Sequence, residues 1–416
     1  MSVAGGVPKS APARTDQRES EPSPFRDRDF LIFAAGNVVN NLGEALYAVA
    51  LPLLAYHRTG SLGVMTLLAA AVPAAGLLSP AFGQVADRRG VRELVVYGLL
   101  LQAGAATGMN LLLLRHGPAT WSLFLSAFLV AVGGAAYRTG WITEVATTFP
   151  ASPVRARGTL NSMYLATTMA GPVIAAALLP HLGYPGLLWL NLPTFFVPLA
   201  VWALGVHPPA VVPSGDRQRM WEQWRPALHA IFGDPRMRTL LVVQLVTDIA
   251  CGAGLTSLLL YHLAHGWRLD GESVGLVIAA VNFSGLVGNL FVSQRRVFRA
   301  WRWLTTGLAL RAATLALLAV PMWPLFLCAL LLGQFGGGMV TAAVVMGRVT
   351  FLPPGVLGRA SGVLWLLAGG AGLLSSTTVL LVDDALGLLP TFLVLGAAAS
   401  IGVWCLLRTR PAWSGS

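Results

Sequence analysis

Long apolar runs alternate with short polar links from residue 30 to residue 407. Each run meets the roughly 20 apolar residues that a helix needs to cross the hydrocarbon core of a bilayer. We number the runs spans 1 to 12: 30–56, 61–86, 94–114, 119–147, 157–180, 186–206, 239–264, 272–294, 302–321, 324–349, 357–381 and 387–407. The pattern therefore predicts an all-α polytopic membrane protein with 12 transmembrane helices.

The link after span 6 is longer and richer in charge and Pro than the others, which predicts two pseudo-symmetric six-helix bundles. A faint repeat supports this division, because Leu-Leu-Ala-Tyr-His at 53–57 closes span 1 and Leu-Leu-Leu-Tyr-His at 258–262 closes span 7. The predicted parts are a disordered cytoplasmic tail at 1–29, a first bundle at 30–206, a cytoplasmic linker at 207–238, a second bundle at 239–408 and a tail at 409–416. The first tail lacks the apolar core of a signal peptide.

The charges are few and lie mainly in links on one side. Hydrophobic residues make up 55% of the chain and charged residues 11%, against about 25% charged in soluble domains. Of the 28 Lys and Arg, 23 fall in segments on the N-terminal side, three on the other side and two inside spans. The positive-inside rule then predicts a multi-pass protein of the inner (plasma) membrane with both termini cytoplasmic. The basic residues are scattered over links, so the net charge of +11 indicates anionic lipid headgroups rather than nucleic acid.

The link between spans 2 and 3 reads GQVADRRGVR at 83–92 and resembles the signature loop of the major facilitator superfamily. That loop has roughly the pattern G-x-x-x-D-R-x-G-R-[KR], and Val91 replaces a usual Arg. In the superfamily the acid faces the N-terminal end of helix 11 when the two halves close on the cytoplasmic side. The resemblance implies a conformational latch formed by Gly83, Asp87, Arg88, Gly90, Arg92, Gly358 and Arg359.

Two further links resemble drug:proton antiporters of the macrolide-exporter and enterobactin-exporter type. They read RTGWITE at 138–144 and PPGVLGRASG at 353–362, although Tyr137 stands where Pro is usual. In span 5, GPVIAA at 171–176 resembles the helix 5 motif of superfamily exporters, and Gly171-Pro172 predicts a kink because Pro removes a helix hydrogen bond. Small residues and Pro are also common in any membrane helix. The resemblance favours export over uptake.

Glu44 lies midway along span 1, where a charge costs at least about 2.5–3.5 kcal/mol to insert. Asn37, Asn40, Asn41 and Glu44 are spaced three and four apart, so they share one helix face. This face is predicted to line a central cavity. Glu44 is then a proton carrier, a contact for a cationic substrate, or both; the alternative is a structural acid held by hydrogen bonds.

Asp248 in span 7 is a second candidate, either for proton transfer or as the partner of Arg138 or Arg311. The resemblance implies that Arg138 tunes a nearby acid by its charge. We therefore predict proton coupling through Glu44, Asp248 and Arg138. Aromatic side chains could stack on a planar substrate or simply pack between helices. The predicted substrate cavity is formed by Asn37, Asn40, Asn41, Glu44, Tyr137, Trp141, Tyr164, Gln244, Asn282, Arg311, Gln334 and Trp365.

The chain lacks the Gly-rich Lys-Ser/Thr loop that cradles nucleotide phosphates, a plausible catalytic constellation, and Cys or His spacing typical of a metal site. We expect no enzymatic activity, cofactor or metal, and we expect a monomer. The prediction is a secondary active proton antiporter that exports a small amphipathic drug or secondary metabolite by alternating access. Two alternatives stay open: an uptake or facilitative carrier of the same fold, and a transporter-like membrane sensor or scaffold.

Overall fold

The computed structural model describes residues 22–89, 91–114, 120–151, 153–205, 220–295, 299–353 and 357–413. These residues form helices and no strand. Ten segments among them are long and apolar enough to cross a membrane, and the 49-residue segment Arg155–Ala203 turns back at Gly183. Because of this turn, the 49-residue segment accounts for two spans, so the ten segments account for eleven. The shorter helix Ala300–Leu317, which carries two arginines, is the twelfth. The twelve predicted spans are therefore confirmed.

The α-helices are numbered in chain order. They are α1 (Arg28–Thr59), α2 (Leu62–Ala69), α3 (Ala71–Gly76), α4 (Ser79–Arg89), α5 (Val91–Leu114), α6 (Thr120–Thr148), α7 (Pro153–Asn191), α8 (Phe196–Ala203), α9 (Met220–Gly233), α10 (Pro235–Cys251), α11 (Ala253–Tyr261), α12 (Gly271–Ser293), α13 (Ala300–Leu317), α14 (Trp323–Phe351), α15 (Leu357–Leu386) and α16 (Leu388–Arg408). A π-helical turn, His262–Gly266, follows α11.

Side-chain caps fix several helix starts, because the first backbone amides of a helix have no partner within it. The Asp27 carboxylate accepts from two amides of α1, and the Asp234 carboxylate accepts from the Arg236 amide at 2.7 Å. At α12 the Asp270 carboxylate accepts from the Ser273 amide at 3.0 Å. Hydrogen bonds from Ser273 hold the pKa of Asp270 below its usual value. Polar links thus set where the apolar spans begin.

Several spans are interrupted within the membrane. Span 2 consists of α2, α3 and α4, and span 7 is broken at Gly252, whose φ and ψ are −82° and −147°. Helix α7 continues through Gly171 and Pro172; in the described part of α7, non-helical backbone angles are found at Gly183 (φ 63°, ψ 175°). A positive φ of this kind favours glycine. This is the turn that separates spans 5 and 6.

Each bundle contains a pair of helices that cross at glycines. A Cβ atom added at Gly98 of α5 would lie 2.8 Å from the Gly133 carbonyl oxygen of α6. In the second bundle, a Cβ at Gly307 of α13 would lie 2.7 Å from the Gly336 carbonyl oxygen of α14. Such backbone approach is typical of small residues at membrane helix contacts. The same contact in both bundles reflects their pseudo-symmetry.

The two bundles meet mainly through α7 with α12, α3 with α15, and α2 with α11. We call the end with Asp29 and Arg408 the terminal face, and the other end the opposite face. At the opposite face the Tyr56 hydroxyl lies 3.2 Å from Nδ1 of His265, and the rings of Tyr56 and Tyr261 lie 5.6 Å apart. These contacts join α1 to the end of span 7 and close the opposite face.

Candidate functional site

Three helices of the first bundle bring polar groups to the Glu44 carboxylate. Arg138 of α6 donates from Nη2 to Oε2 at 3.1 Å, forming an ion pair. Gln102 of α5 and Asn40 of α1 donate their amide NH₂ groups to Oε1 at 3.3 and 3.4 Å. The side chains of Glu44 and Arg138 are 22% and 41% exposed. The pair is therefore hydrogen-bonded on several sides but accessible from its surroundings.

The neighbourhood of this pair depends on one small residue. A Cβ atom at Gly134 would lie 3.0 Å from Nε2 of Gln102 and 3.5 Å from Oε1 of Glu44. The Arg138 guanidinium also lies 5.8 Å from the ring centroid of Tyr164. A larger residue at 134 would press on the amide that holds Glu44. We name this group (Asn40, Glu44, Gln102 and Arg138) the Glu44 pocket.

The other asparagines of α1 lie between helices. Asn37 donates to the Tyr137 hydroxyl at 3.2 Å, and Asn41 donates to Oδ1 of Asn37 at 2.7 Å. Asn37, Asn41 and Tyr137 are buried. The polar face that the spacing predicted exists, and part of it packs against α6. Its contribution to a substrate cavity stays a prediction.

The second bundle holds another carboxylate in its membrane-spanning part. Gln244 donates to both oxygens of Asp248 at 2.7 Å. Arg311 and Arg348 both attract the Asp248 carboxylate, and Arg311 also lies near Cys251. We name this group the Asp248 pocket. It lies just before the helix break at Gly252.

The two pockets are built on the same framework. Gln102 follows Gly98 by four residues, and Arg311 follows Gly307 by four. A Cβ at Gly134 would press on the Gln102 amide, and a Cβ at Gly337 would press on the Arg311 guanidinium. Gln102 and Arg311 therefore occupy matching places, each beside the carboxylate of its own bundle. The source of the cations differs: in the first bundle Arg138 comes from α6, and in the second bundle Arg311 comes from α13 and Arg348 from α14.

Other predicted cavity residues are dispersed. Asn282 of α12 donates to the Thr168 carbonyl of α7 at 3.0 Å and so links the bundles. Gln334 is partly buried beside Gly285, whereas Trp365 is 54% exposed. The Trp141 side chain lies outside the described part of the chain.

Little of the predicted latch can be described. Gly83 lies in α4, and Arg92 is exposed at the start of α5. The remaining latch positions lie outside the residues whose side chains the structure describes: Asp87, Arg88, Gly90, Gly358 and Arg359.

Sequence reasoning missed Gln102, Cys251 and Arg348 as members of the pockets. Gln102 is an isolated amide in an apolar run, and it is 1% exposed. The available signal was its position one turn after Gly98, since a glycine in a membrane helix often marks close contact with a neighbour. A buried polar side chain at such a contact needs a partner.

Comparisons with known proteins agree with this architecture. The sequence model of the Major Facilitator Superfamily matches residues 33–377. A relative, the multidrug efflux pump Tap of Mycolicibacterium fortuitum, is 27% identical over 380 residues, which cover 88% of this chain and 91% of that protein.

Similar solved structures are transporters. A POT family transporter in complex with a thioalcohol-conjugated peptide aligns with a TM-score of 0.75 at 13% identity, covering 95% of this chain and 99% of that one. A bacterial homologue of the iron transporter ferroportin in its inward-facing state aligns with a TM-score of 0.68 at 19% identity, covering 94% and 99%. At these identities the likeness shows the fold. With the family match over most of its length, the chain belongs to the major facilitator superfamily.

Proposed function

We propose that this transporter is a proton-coupled exporter of a small amphipathic compound. The observation that carries the proposal is the Glu44 pocket, in which an ion-paired carboxylate lies in the membrane-spanning region and is still 22% exposed. A charged residue at such a depth is costly and is typically functional. Protonation of Glu44 and binding of substrate would favour different states of one cavity, which is the requirement for coupling.

The neighbouring amides support a change of protonation at Glu44. Asn40 Oδ1 and Gln102 Oε1 are buried and have no hydrogen-bond partner among the described residues, while the NH₂ groups of both amides face the carboxylate. A protonated Glu44 becomes a donor, and a half-turn of either amide would present an oxygen to accept its hydrogen bond. The pocket thus offers partners to the ionised acid and to the neutral acid. A purely structural acid requires only the first set.

Arg138 provides the link to substrate. In the ionised state its guanidinium is held by Glu44 and lies against the Tyr164 ring. When Glu44 takes up a proton, the pair loses its Coulomb attraction and Arg138 is released to a new partner. A single proton would therefore change the charge and the geometry that the cavity presents.

Export is favoured by the similarity to Tap, a multidrug efflux pump, and by the GPVIAA motif in α7. The distribution of Arg favours a cytoplasmic terminal face, with the signature loop at 83–92 acting there as a latch. The mixed charge of the two pockets, together with Tyr137 and Tyr164 near Arg138 in the first, favours an amphipathic substrate with a planar part. In this proposal, the protein transports such molecules across the plasma membrane.

Inverted membrane vesicles test both direction and coupling. Vesicles that contain the wild-type protein should accumulate a fluorescent cationic drug when a proton gradient is imposed, and should release it when the gradient is collapsed. Glu44→Gln keeps the shape and removes the titrating group, so accumulation should fall to the level of empty vesicles. Glu272→Gln, at an exposed acid in the first turn of α12, is the matched control and should transport normally.

Other outcomes of the vesicle experiment would contradict the proposal. Accumulation that ignores the proton gradient would identify a facilitative carrier, and loss of drug from the vesicles under the gradient would identify uptake. Unchanged transport by Glu44→Gln would remove Glu44 from the coupling mechanism.

A further inference from the structure

An unusual group of arginines surrounds the start of α13 at the terminal face. Arg299 and Arg302 lie at the start of the helix itself, Arg295 comes from the end of α12, and Arg410 follows α16. All four are exposed. We call these four residues the α13 arginine strip. It lies far along the chain from the Glu44 pocket and has no part in the proposed transport mechanism.

Two tryptophans hold the strip together. The Arg295 guanidinium lies over the rings of Phe291 and Trp303, at 4.2 and 6.0 Å from their centroids. The Arg410 guanidinium lies 5.2 Å from the centroid of Trp301. Trp301 in turn donates from Nε1 to the Leu406 carbonyl at 2.9 Å, which fixes α16 beside α13. The outer arginines are thus positioned by aromatic rings, while the side chains of Arg299 and Arg302 form no hydrogen bond or ion pair with a described residue.

No ion pair joins the strip to an acidic side chain in the part of the chain that the structure describes. Among the described residues, ion pairs join Arg138 to Glu44 and Arg236 to Asp234, and neither pair involves the strip. Among the residues whose side chains the structure describes, Asp234 is the acid found at this face of the second bundle. The matching helix of the first bundle differs, because α5 carries Glu93 directly after Arg92 in its first turn. The first turn of α13 therefore carries no acidic side chain, unlike the first turn of α5.

Exposed apolar side chains beside the strip indicate which class of anion would bind there. Leu290, Trp404 and Leu407 lie on the adjoining helices towards the membrane, and they are 42%, 52% and 53% exposed. A ligand that contacts both the arginines and these apolar side chains has a negative headgroup and apolar chains. Helix α13 also begins without a side-chain cap, so its first amides add donors for a phosphate oxygen. A free phosphate or a nucleic acid would leave the apolar surface unused.

From this combination we infer that the α13 arginine strip binds the headgroup of an anionic phospholipid. The phosphate contacts Arg299 and Arg302, the acyl chains lie along the exposed side chains of α12 and α16, and Arg295 and Arg410 flank the site. Basic residues at a membrane surface each strengthen attraction to anionic lipid, so removal of two should weaken binding roughly 30-fold. The bound lipid would fasten the ends of three helices in the second bundle.

The test uses the full-length protein in a neutral detergent, titrated with phosphatidylglycerol and followed by native mass spectrometry and by melting temperature. Arg299→Gln/Arg302→Gln is the test variant. Arg28→Gln/Arg157→Gln is the control, since it removes two exposed arginines from the terminal face of the first bundle. Phosphatidylcholine and inorganic phosphate are the other two ligands. Arg299→Lys/Arg302→Lys keeps the charge and guards against a general loss of folding.

We expect phosphatidylglycerol to bind and stabilise the wild type, the control pair and the Lys pair. It should bind the Gln pair roughly 30-fold more weakly. Phosphatidylcholine should bind weakly to all four proteins. Three results would overturn the inference: equal loss in the control pair, equal binding of phosphatidylcholine, or full stabilisation by inorganic phosphate alone. The last result would identify a free-anion site instead.

Discussion

Gln102 illustrates how one neutral side chain can serve both protonation states of an acid. It is buried between α5 and α6, it donates to Glu44, and its carbonyl oxygen is unpartnered. Hydrogen bonds to a charged group contribute about 1.5–3 kcal/mol, roughly twice a neutral pair. An aliphatic side chain of similar size would keep the packing and remove the donor and the acceptor together.

Gln102→Leu should therefore reduce proton-driven export at least about tenfold, at unchanged protein level, because the hydrogen bond to a charged group is lost. The measurement is the initial rate of drug accumulation in inverted vesicles. Asn110→Leu is the matched control, since Asn110 is a buried amide of the same helix that donates to the Leu188 carbonyl and does not contact Glu44. It should lower the melting temperature and leave the rate per folded molecule unchanged. If both variants transport equally well, Gln102 has no role in coupling.

Some residues of the Glu44 pocket could be predicted from the sequence, and others could not. Asn40 and Glu44 are one turn apart on one helix, and the fixed period of the α-helix was enough to place them together. Arg138 was reached through resemblance to known exporters. Gln102 could not be placed, because its contact depends on how closely α5 approaches α6. No local pattern encodes that distance.

At the scale of elements, the apolar length of each span determined the helices, and their interruptions escaped prediction. The turn at Gly183 falls in the predicted link between spans 5 and 6, whereas the break at Gly252 and the π turn that begins at His262 fall inside predicted span 7. Hydropathy does not reveal the interruptions of span 7, because a continuous membrane helix and a broken one have the same composition. Contacts with neighbouring helices satisfy the backbone groups that such breaks expose.

Helix α5 provides a matched test of the close crossing, because it carries glycines in two environments. A Cβ atom at Gly98 would lie 2.8 Å from the Gly133 carbonyl oxygen and 2.9 Å from the Tyr137 amide nitrogen, whereas a Cβ at Gly104 would meet nothing within 4 Å. Gly98→Ala should therefore destabilise the protein by about 1–3 kcal/mol through overpacking. Gly104→Ala should be neutral or slightly stabilising.

The melting temperature of the purified protein in detergent distinguishes these two variants. A fall of several degrees for Gly98→Ala alone supports the crossing as described. Equal melting temperatures would mean that α5 and α6 lie further apart. Since Gln102 is one turn from Gly98, the same variant should also impair transport by moving the amide away from Glu44.

At the scale of the whole molecule, the internal repeat accounts for how the opposite face closes. Tyr56 and Tyr261 occupy matching places in the two repeats, and their rings are in contact at 5.6 Å. Two symmetry-related residues can touch only near the axis that relates them. The contact therefore lies on the pseudo-two-fold axis, where opening of the two bundles must separate it. His265 stacks on Tyr261 at 4.9 Å and binds the Tyr56 hydroxyl.

In the proposed alternating-access cycle, this hydrogen bond would exist only while the opposite face is closed, and it would bias the equilibrium between the two states. Its removal in Tyr56→Phe should favour the state that is open at the opposite face. A neutral hydrogen bond contributes about 0.5–1.5 kcal/mol, which corresponds to a shift of roughly 2- to 13-fold in the ratio of the states. Tyr261→Phe is the control, because its ring contacts persist and its hydroxyl forms no hydrogen bond with a described residue.

Spin labels at Leu114 and Leu386 report this equilibrium, since both side chains are exposed at the opposite-face ends of α5 and α15 in different bundles. In a background without the native cysteines, Tyr56→Phe should enlarge the long-distance population in double electron–electron resonance, and Tyr261→Phe should match the parent protein. The shift should also change transport, because alternating access requires both states to be populated. A distance distribution in Tyr56→Phe identical to that of the parent would show that the aromatic contacts alone hold the opposite face closed, and that the hydroxyl contributes nothing to the balance.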